Sequence, residues 1–111
     1  MIYKMNLNNE PFISIKSGSK TIEMRLYDEK RRLIKVGDTI EFTNRVTNEK
    51  ITVKVIQLHI FNDFEELYKN FDKSSLGYKE NEKACACDMN KYYSKEEQEK
   101  YGVVGIEIKL F

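Results

Sequence analysis

At 111 residues the chain suits one compact domain, spanning 1–111. With 41% hydrophobic and 33% charged residues it is neither disordered nor collagen-like, and no apolar run approaches the roughly 20 residues a membrane helix needs. The formal net charge of +1 says nothing about nucleic acid, but residues 1–60 hold eleven Lys/Arg against seven Asp/Glu and residues 61–111 hold eight against eleven. All four arginines, Arg25, Arg31, Arg32 and Arg45, lie in the first part, an asymmetry that can mark an anion-facing surface.

The start, MIYKMNLNNEPF, lacks the basic opening and long apolar stretch of a secretory signal, which points to the cytoplasm. Asn8-Asn9-Glu10-Pro11 then opens a helix, because proline is tolerated in a first turn. Phe12 and Ile15, with Ile13 beside them, supply its apolar face, and Gly18 suits the left-handed position that ends it. The period then changes to two. Ile22, Met24 and Leu26 alternate with Thr21, Glu23 and Arg25, which predicts a strand.

A charged turn, DEKRRLIKVGD, ends at Gly37-Asp38. Ile40 and Phe42 mark a second strand, Arg45 to Glu49 a hairpin turn, and Ile51, Val53 and Val55 the start of a long third strand. Ile56, Leu58 and Ile60 hold the opposite phase. The slip predicts a bulge, or a coiled strand whose two halves bury opposite faces. FNDFEELYKNF is helical, with Phe61, Phe64, Leu67, Tyr68 and Phe71 on one face. KSSLGYKENEK is polar loop. Residues 81–93 read as a short helix with Ala84, Cys85, Met89 and Tyr92 inward. Ser94-Lys95-Glu96-Glu97 is a capping box, Gly102 is a helix stop, and GVVGIEIKLF is a closing strand. The order reads as α+β, with the last strand pairing back to an early one in a small barrel.

Cys85 and Cys87, one residue apart, do not make a disulfide framework and read as small apolar residues. One histidine, His59, and this lone pair are too few for an ordinary four-ligand zinc site, so no metal is expected. His59 reads as a polar strand residue.

The stretch GSKTIEMR carries the chemistry. In a strand, alternate side chains share a face, so Thr21, Glu23 and Arg25 point away from Ile22 and Met24, with Lys20 at the strand entrance. One reading is a structural ion pair on a barrel rim, worth little to stability. The other is a ligand site in which Lys20 and Arg25 hold a phosphate or carbonyl and Glu23 accepts a hydrogen bond from a base amino group. The phase predicts that Glu23→Ala leaves the fold largely intact, whereas Ile22→Ala costs roughly 2–5 kcal/mol. Tyr27, Arg31 and Arg32 form either a loop over the site, stacking a base and touching phosphate, or a solvated loop balanced by Asp28 and Glu29. Tyr92 and Tyr93 offer a second aromatic wall or rim packing.

Gly18, Lys20, Glu23 and Arg25, as GxKxxExR, resemble the signature of ASCH domains. IKVGDTIEF and YSKEEQEKYGVVGIEI are similar to the family's later strand and to its closing helix and strand. The resemblance implies a small PUA-like β-barrel of about five or six strands with flanking short helices. It also implies a cleft beside the barrel at the motif. Many members are proposed RNA binders. Some are N4-acetylcytidine amidohydrolases that use a Lys, a Thr and a Glu, and ribonuclease activity has been associated with others. Lys20 matches the lysine. Glu23 stands where those enzymes carry threonine, and Glu65, Glu66 and Asp72 are candidates for the glutamate.

The expected function is therefore binding of RNA or a modified nucleoside by Lys20, Glu23, Arg25, Tyr27, Arg31 and Arg32. The near-neutral charge favours a short or single-nucleotide ligand. Two alternatives stand beside it. One is a metal-independent amidohydrolase or ribonuclease with Lys20 and Glu23 catalytic. The other is an interaction module with no nucleic-acid ligand. No cofactor, membrane or obligate protein partner is expected.

Overall fold

The first strand begins before the helix that opens the sequence reading. In Ile2–Leu7 (β1), Met5 and Leu7 alternate inward with Lys4 and Asn6 outward, the period-two pattern of a half-buried strand. The computed structural model describes all 111 residues. After β1 come α1 (Asn9–Lys16), β2 (Ile22–Leu26), a 3₁₀ turn (Arg31–Leu33), β3 (Thr39–Asn44) and β4 (Lys50–Phe61). Then follow α2 (Phe64–Lys69), a 3₁₀ helix (Ala86–Lys91), α3 (Lys95–Tyr101) and β5 (Val103–Leu110). No helix is long and apolar enough to cross a membrane.

The five strands form one mixed sheet in the order β1-β3-β4-β5-β2. β1 runs parallel to β3, and every other pairing is antiparallel. The sheet curls into a PUA-like half-barrel, and β1 and β2 are its two edges. Two apolar clusters cover its two faces. Phe42, Val53, Val55, Val104 and Ile106 fill the inner one, joined by Phe12 and Ile15 of α1. The outer one joins Ile22, Met24 and Leu26 to Phe64 and Leu67 of α2 and to Met89. β5 serves both clusters through its alternation, Val104 inward and Val103 outward. A Cβ at Gly105 would lie 3.1 Å from Ile22 Cγ2, so glycine there lets the outer layer sit close against the sheet.

The predicted bulge lies in β4, where the register against β5 shifts between Val55 and Gln57. Its effect is the reverse of opposite-face burial. Val55 pairs with Ile108 and Leu58 with Ile106, so the extra residue keeps both halves on the inner face. Ile56, the inserted residue, is left exposed, and so is Ile60.

Local signals account for the remaining ends. Asp63 caps α2 by accepting from Glu66 N–H. Ser94 and Glu97 form the reciprocal box at α3, which Gly102 ends at positive φ. The 81–93 helix is confined to Ala86–Lys91, with Met89 inward but Tyr92 60% exposed, contrary to the inward placement. Cys85 and Cys87 are bonded to each other in a disulfide. Cys85 is half-buried and Cys87 exposed, so neither acts as a buried apolar residue.

Candidate functional site: a buried charge cluster in the open seam

Pairing places the charged face of β2. Glu23 lies opposite Ile106 and Arg25 opposite Val104, so both side chains stand on the inner face. Ile22, Met24 and Leu26 take the outer one. Both faces of the strand are thus covered, and the motif forms the floor of a cleft rather than an exposed rim.

Glu23 is 3% exposed and Lys20 8%. Lys20 Nζ lies 3.1 Å from Glu23 Oε1. Arg25 donates from Nε and reaches Oε2 with Nη2, both at 2.8 Å. Arg25 Nη2 also donates to the Asn6 carbonyl at 3.2 Å, which joins edge strand β2 to edge strand β1 across the open side of the half-barrel. Burial pushes the Glu23 carboxyl up, but Lys20 and Arg25 outweigh it and hold it below its ordinary value. Burial likewise disfavours the Arg25 cation, and Glu23, with Tyr93 nearby, more than restores it. Two cations share one carboxylate whose oxygens are both occupied. The cluster carries an excess positive charge, and Lys20 has N–H groups left to donate.

The cluster opens into a cavity of about 990 Å³ between the seam and the segment following α2. That segment is tied to β2, because the Thr21 and Ile22 N–H groups both donate to the Ser75 carbonyl at 3.0 Å. Gly77 then crosses the Lys20 stem at φ +104°, where a Cβ would lie 3.0 Å from Lys20 Cδ. Beyond it Tyr78 O–H donates to Asp88 Oδ2 at 2.7 Å, and the Tyr68 hydroxyl lies 2.9 Å from the Tyr78 oxygen. Burial pushes the Tyr78 phenol up, and its hydrogen bonds with Tyr68 and Asp88 add to the rise, so it is a neutral donor at physiological pH. Tyr93 stacks on Phe64, with centroids 6.0 Å apart and planes 19° apart, and completes the wall together with Tyr92.

Of the residues expected from sequence, Lys20, Glu23, Arg25 and Arg31 line the cavity together. Tyr27 and Arg32 do not. The Arg32 guanidinium sits over the Tyr27 ring, 4.3 Å from its centroid, and Arg32 donates to the Tyr27 and Tyr101 carbonyls. Glu65, Glu66 and Asp72 are also absent from the lining, whose carboxylates are Glu10, Glu23, Glu82 and Asp88. His59 lies elsewhere, paired with Glu107 at 2.9 Å and edge-on to Phe71. No group of three His, Cys, Asp or Glu residues is placed to hold a metal ion.

The burial of Glu23 also revises the expected effect of losing it. Truncation would strand two buried cations, so Glu23→Ala strikes the fold as well as the cleft. Sequence reasoning passed over Gly77, Tyr78 and Asp88, and named Arg45 only among the clustered arginines. Only the glycine between Leu76 and Tyr78 gave a local signal, and the rest depend on contacts across the cleft.

The chain matches the ASCH domain over residues 5–111. The crystal structure of a hypothetical protein, PH0355, is 35% identical with a TM-score of 0.83, and all of both chains is covered. The solution NMR structure of PF0455 from Pyrococcus furiosus is 36% identical with a TM-score of 0.74, covering 100% of this chain and 98% of that one. A mutant ZmASCH protein from Zymomonas mobilis, at 15% identity and a TM-score of 0.61 over 97% of this chain and 67% of that one, shares the fold. No curated protein matches the chain. Half-barrel and GxKxxExR floor thus come together with a domain match over nearly the whole length, and the chain belongs to the ASCH family.

Proposed function

We propose that the protein is a single-domain nucleic-acid binder whose cleft takes one unpaired nucleotide of RNA or a modified nucleoside. The observation that carries this reading is the buried Lys20–Glu23–Arg25 cluster, with its excess positive charge, facing a tyrosine wall across one cavity. Burying ion pairs contributes little net stability, because desolvation offsets the attraction. A cluster with donors left over is better suited to gripping a carbonyl or phosphate. Tyrosine rings stack unpaired bases regardless of sequence. The volume is near the upper end of the roughly 300–1,000 Å³ of small-ligand sites. The four carboxylates in the lining weigh against a long backbone track through the cleft itself. ASCH membership supports a ligand of the RNA kind.

Hydrolysis of an acylated pyrimidine nucleoside, or of RNA, ranks second. The spare N–H groups of Lys20 suit it to stabilise a developing oxyanion. Glu23 suits a general base poorly, with both oxygens engaged and its carboxyl held low. The test is a titration of cytidine, N4-acetylcytidine and a short single-stranded RNA, followed by amide shifts, with mass spectrometry of the same mixtures. Saturable shifts around Gly77 and Tyr93 without product, lost in Lys20→Gln, support binding. Product that disappears in Lys20→Gln would put hydrolysis first. Absence of both would remove the nucleotide reading.

A further inference from the structure

A second, smaller cavity of about 190 Å³ adjoins the cleft along the same seam. Its composition differs sharply. Lys4, Arg25, Lys30, Arg31 and Arg45 line it, and no aspartate or glutamate does. Three of these, Arg25, Arg31 and Arg45, also line the main cleft, so the two spaces share an arginine wall. The outward phase of β1 carries Lys4 there, and the backbone N–H of Arg45 holds the start of the β3–β4 turn to the Leu7 carbonyl at 2.9 Å. Lys4, Lys30 and Arg45 form no ion pair with any carboxylate of the chain. Arg31 bonds Asp28 through Nη1 at 2.9 Å, yet its Nε is buried without any hydrogen-bond partner. Leaving a buried charged donor unmade is costly, and natural structures rarely tolerate it without a ligand or water to accept the bond.

We propose that this cavity is a phosphate site, which takes the phosphodiester next to the nucleotide in the main cleft. A phosphate fits the observations because it is small, doubly able to accept from guanidinium groups, and negative in a space that no carboxylate lines: Arg25 and Arg31 are paired with Glu23 and Asp28, which leaves Lys4, Lys30 and Arg45 as the uncompensated cations. The ligand is therefore a phosphorylated nucleotide or a short RNA strand crossing the arginine wall, rather than a free nucleoside. The inference rests on the nucleotide reading only for what the phosphate is attached to.

The test uses the full chain and reads the arginine Nε–H signals by NMR. Inorganic phosphate is titrated at constant ionic strength against a chloride control. Saturable movement of the Arg31 and Arg45 signals, with Arg32 unmoved, is expected. The affinity for phosphate should fall several-fold in the double variant Lys4→Gln/Lys30→Gln, which changes only exposed side chains and keeps the arginine wall. Cytidine 3′- and 5′-monophosphates are then compared with cytidine. One of the two should bind about tenfold more tightly than the nucleoside, and the double variant should reduce that gain while leaving cytidine binding unchanged. Arg31 signals that stay still, or Arg32 moving equally, would overturn the phosphate site even where cytidine still shifts Gly77 and Tyr93. Phosphate moving Arg31 while cytidine and both monophosphates leave the cleft silent would sustain the anion site and overturn the nucleotide reading instead.

Discussion

The two faces of β2 are buried almost equally and do different work. The outer face packs Ile22, Met24 and Leu26 against α2, and its burial is explained by the removal of apolar surface from water. The inner face buries Glu23 between two cations, which the hydrophobic effect does not explain. The difference is that burial alone does not separate a structural residue from a functional one. What separates them is whether the buried groups satisfy one another completely. The outer face is closed by its neighbours, whereas the inner one keeps positive charge and donors directed at a cavity.

The sharpest way to break this comparison is to empty the inner face. Glu23→Ala leaves Lys20 and Arg25 buried without a counter-charge and is expected to cost about 3–5 kcal/mol, measured by urea denaturation, while also weakening ligand binding. Acid does the same reversibly. The folded carboxyl lies below its ordinary value of 4.5, so Glu23 contributes its full stability above that value and loses it as pH falls further. Melting temperature should therefore drop below pH 4.5, and the Glu23→Gln variant should show a flatter profile there. An unchanged profile in that variant would mean other carboxylates govern acid stability.

Ile22→Ala is the outer-face counterpart, expected to cost about 2–5 kcal/mol and to leave ligand affinity unaltered once the protein is folded. An affinity loss equal to that of a Lys20 variant would dissolve the distinction between the faces. Gly77→Ala is smaller. It forces a side chain to φ +104° and a methyl against Lys20 Cδ, at a cost of about 1–3 kcal/mol. Its diagnostic effect is on the ligand, because Lys20 must move from the cleft floor. Full retention of affinity would show that the position of Lys20 does not matter.

These residues also show what could be read from the chain alone. The β2 phase, the β4 bulge, the α1 and α3 boundaries and the grouping of Lys20, Glu23 and Arg25 were legible, because each is written in residues within a few positions of one another; the burial of that group was not. β1 carries an equally local pattern at Met5 and Leu7, though the elements expected from sequence began only with the helix after it. Tyr92 and Tyr93 were already candidates for an aromatic wall, but the stretch from Leu76 to Asp88 that completes it was illegible for a physical reason. It has no periodicity of its own, and it is ordered by Ser75 accepting from β2 and by Tyr78 meeting Asp88 ten residues on. Arg45 was legible only as one of four clustered arginines, and its place beside Arg25 and Arg31 depends on the curl that brings both edge strands to one seam.

Tyr27 and Arg32 provide the smallest and most discriminating test. One of two sequence readings placed them with Arg31 over the ligand, since the three share one basic loop; the other left the loop solvated. The structure divides the loop: Arg31 turns to the cavities, whereas Arg32 lies on the Tyr27 ring and bonds backbone carbonyls at the far end of β2. An exposed cation–π contact is worth about 0.5–1 kcal/mol and each exposed hydrogen bond about as much, so Arg32→Gln should lower stability by about 1–2 kcal/mol and leave nucleotide affinity unchanged. Arg31→Gln should reverse the pattern, with affinity for a monophosphate falling several-fold. Equal affinity losses in both variants would mean that the loop acts as one diffuse basic surface, and the contrast between a satisfied and an unsatisfied arginine would then carry no functional meaning.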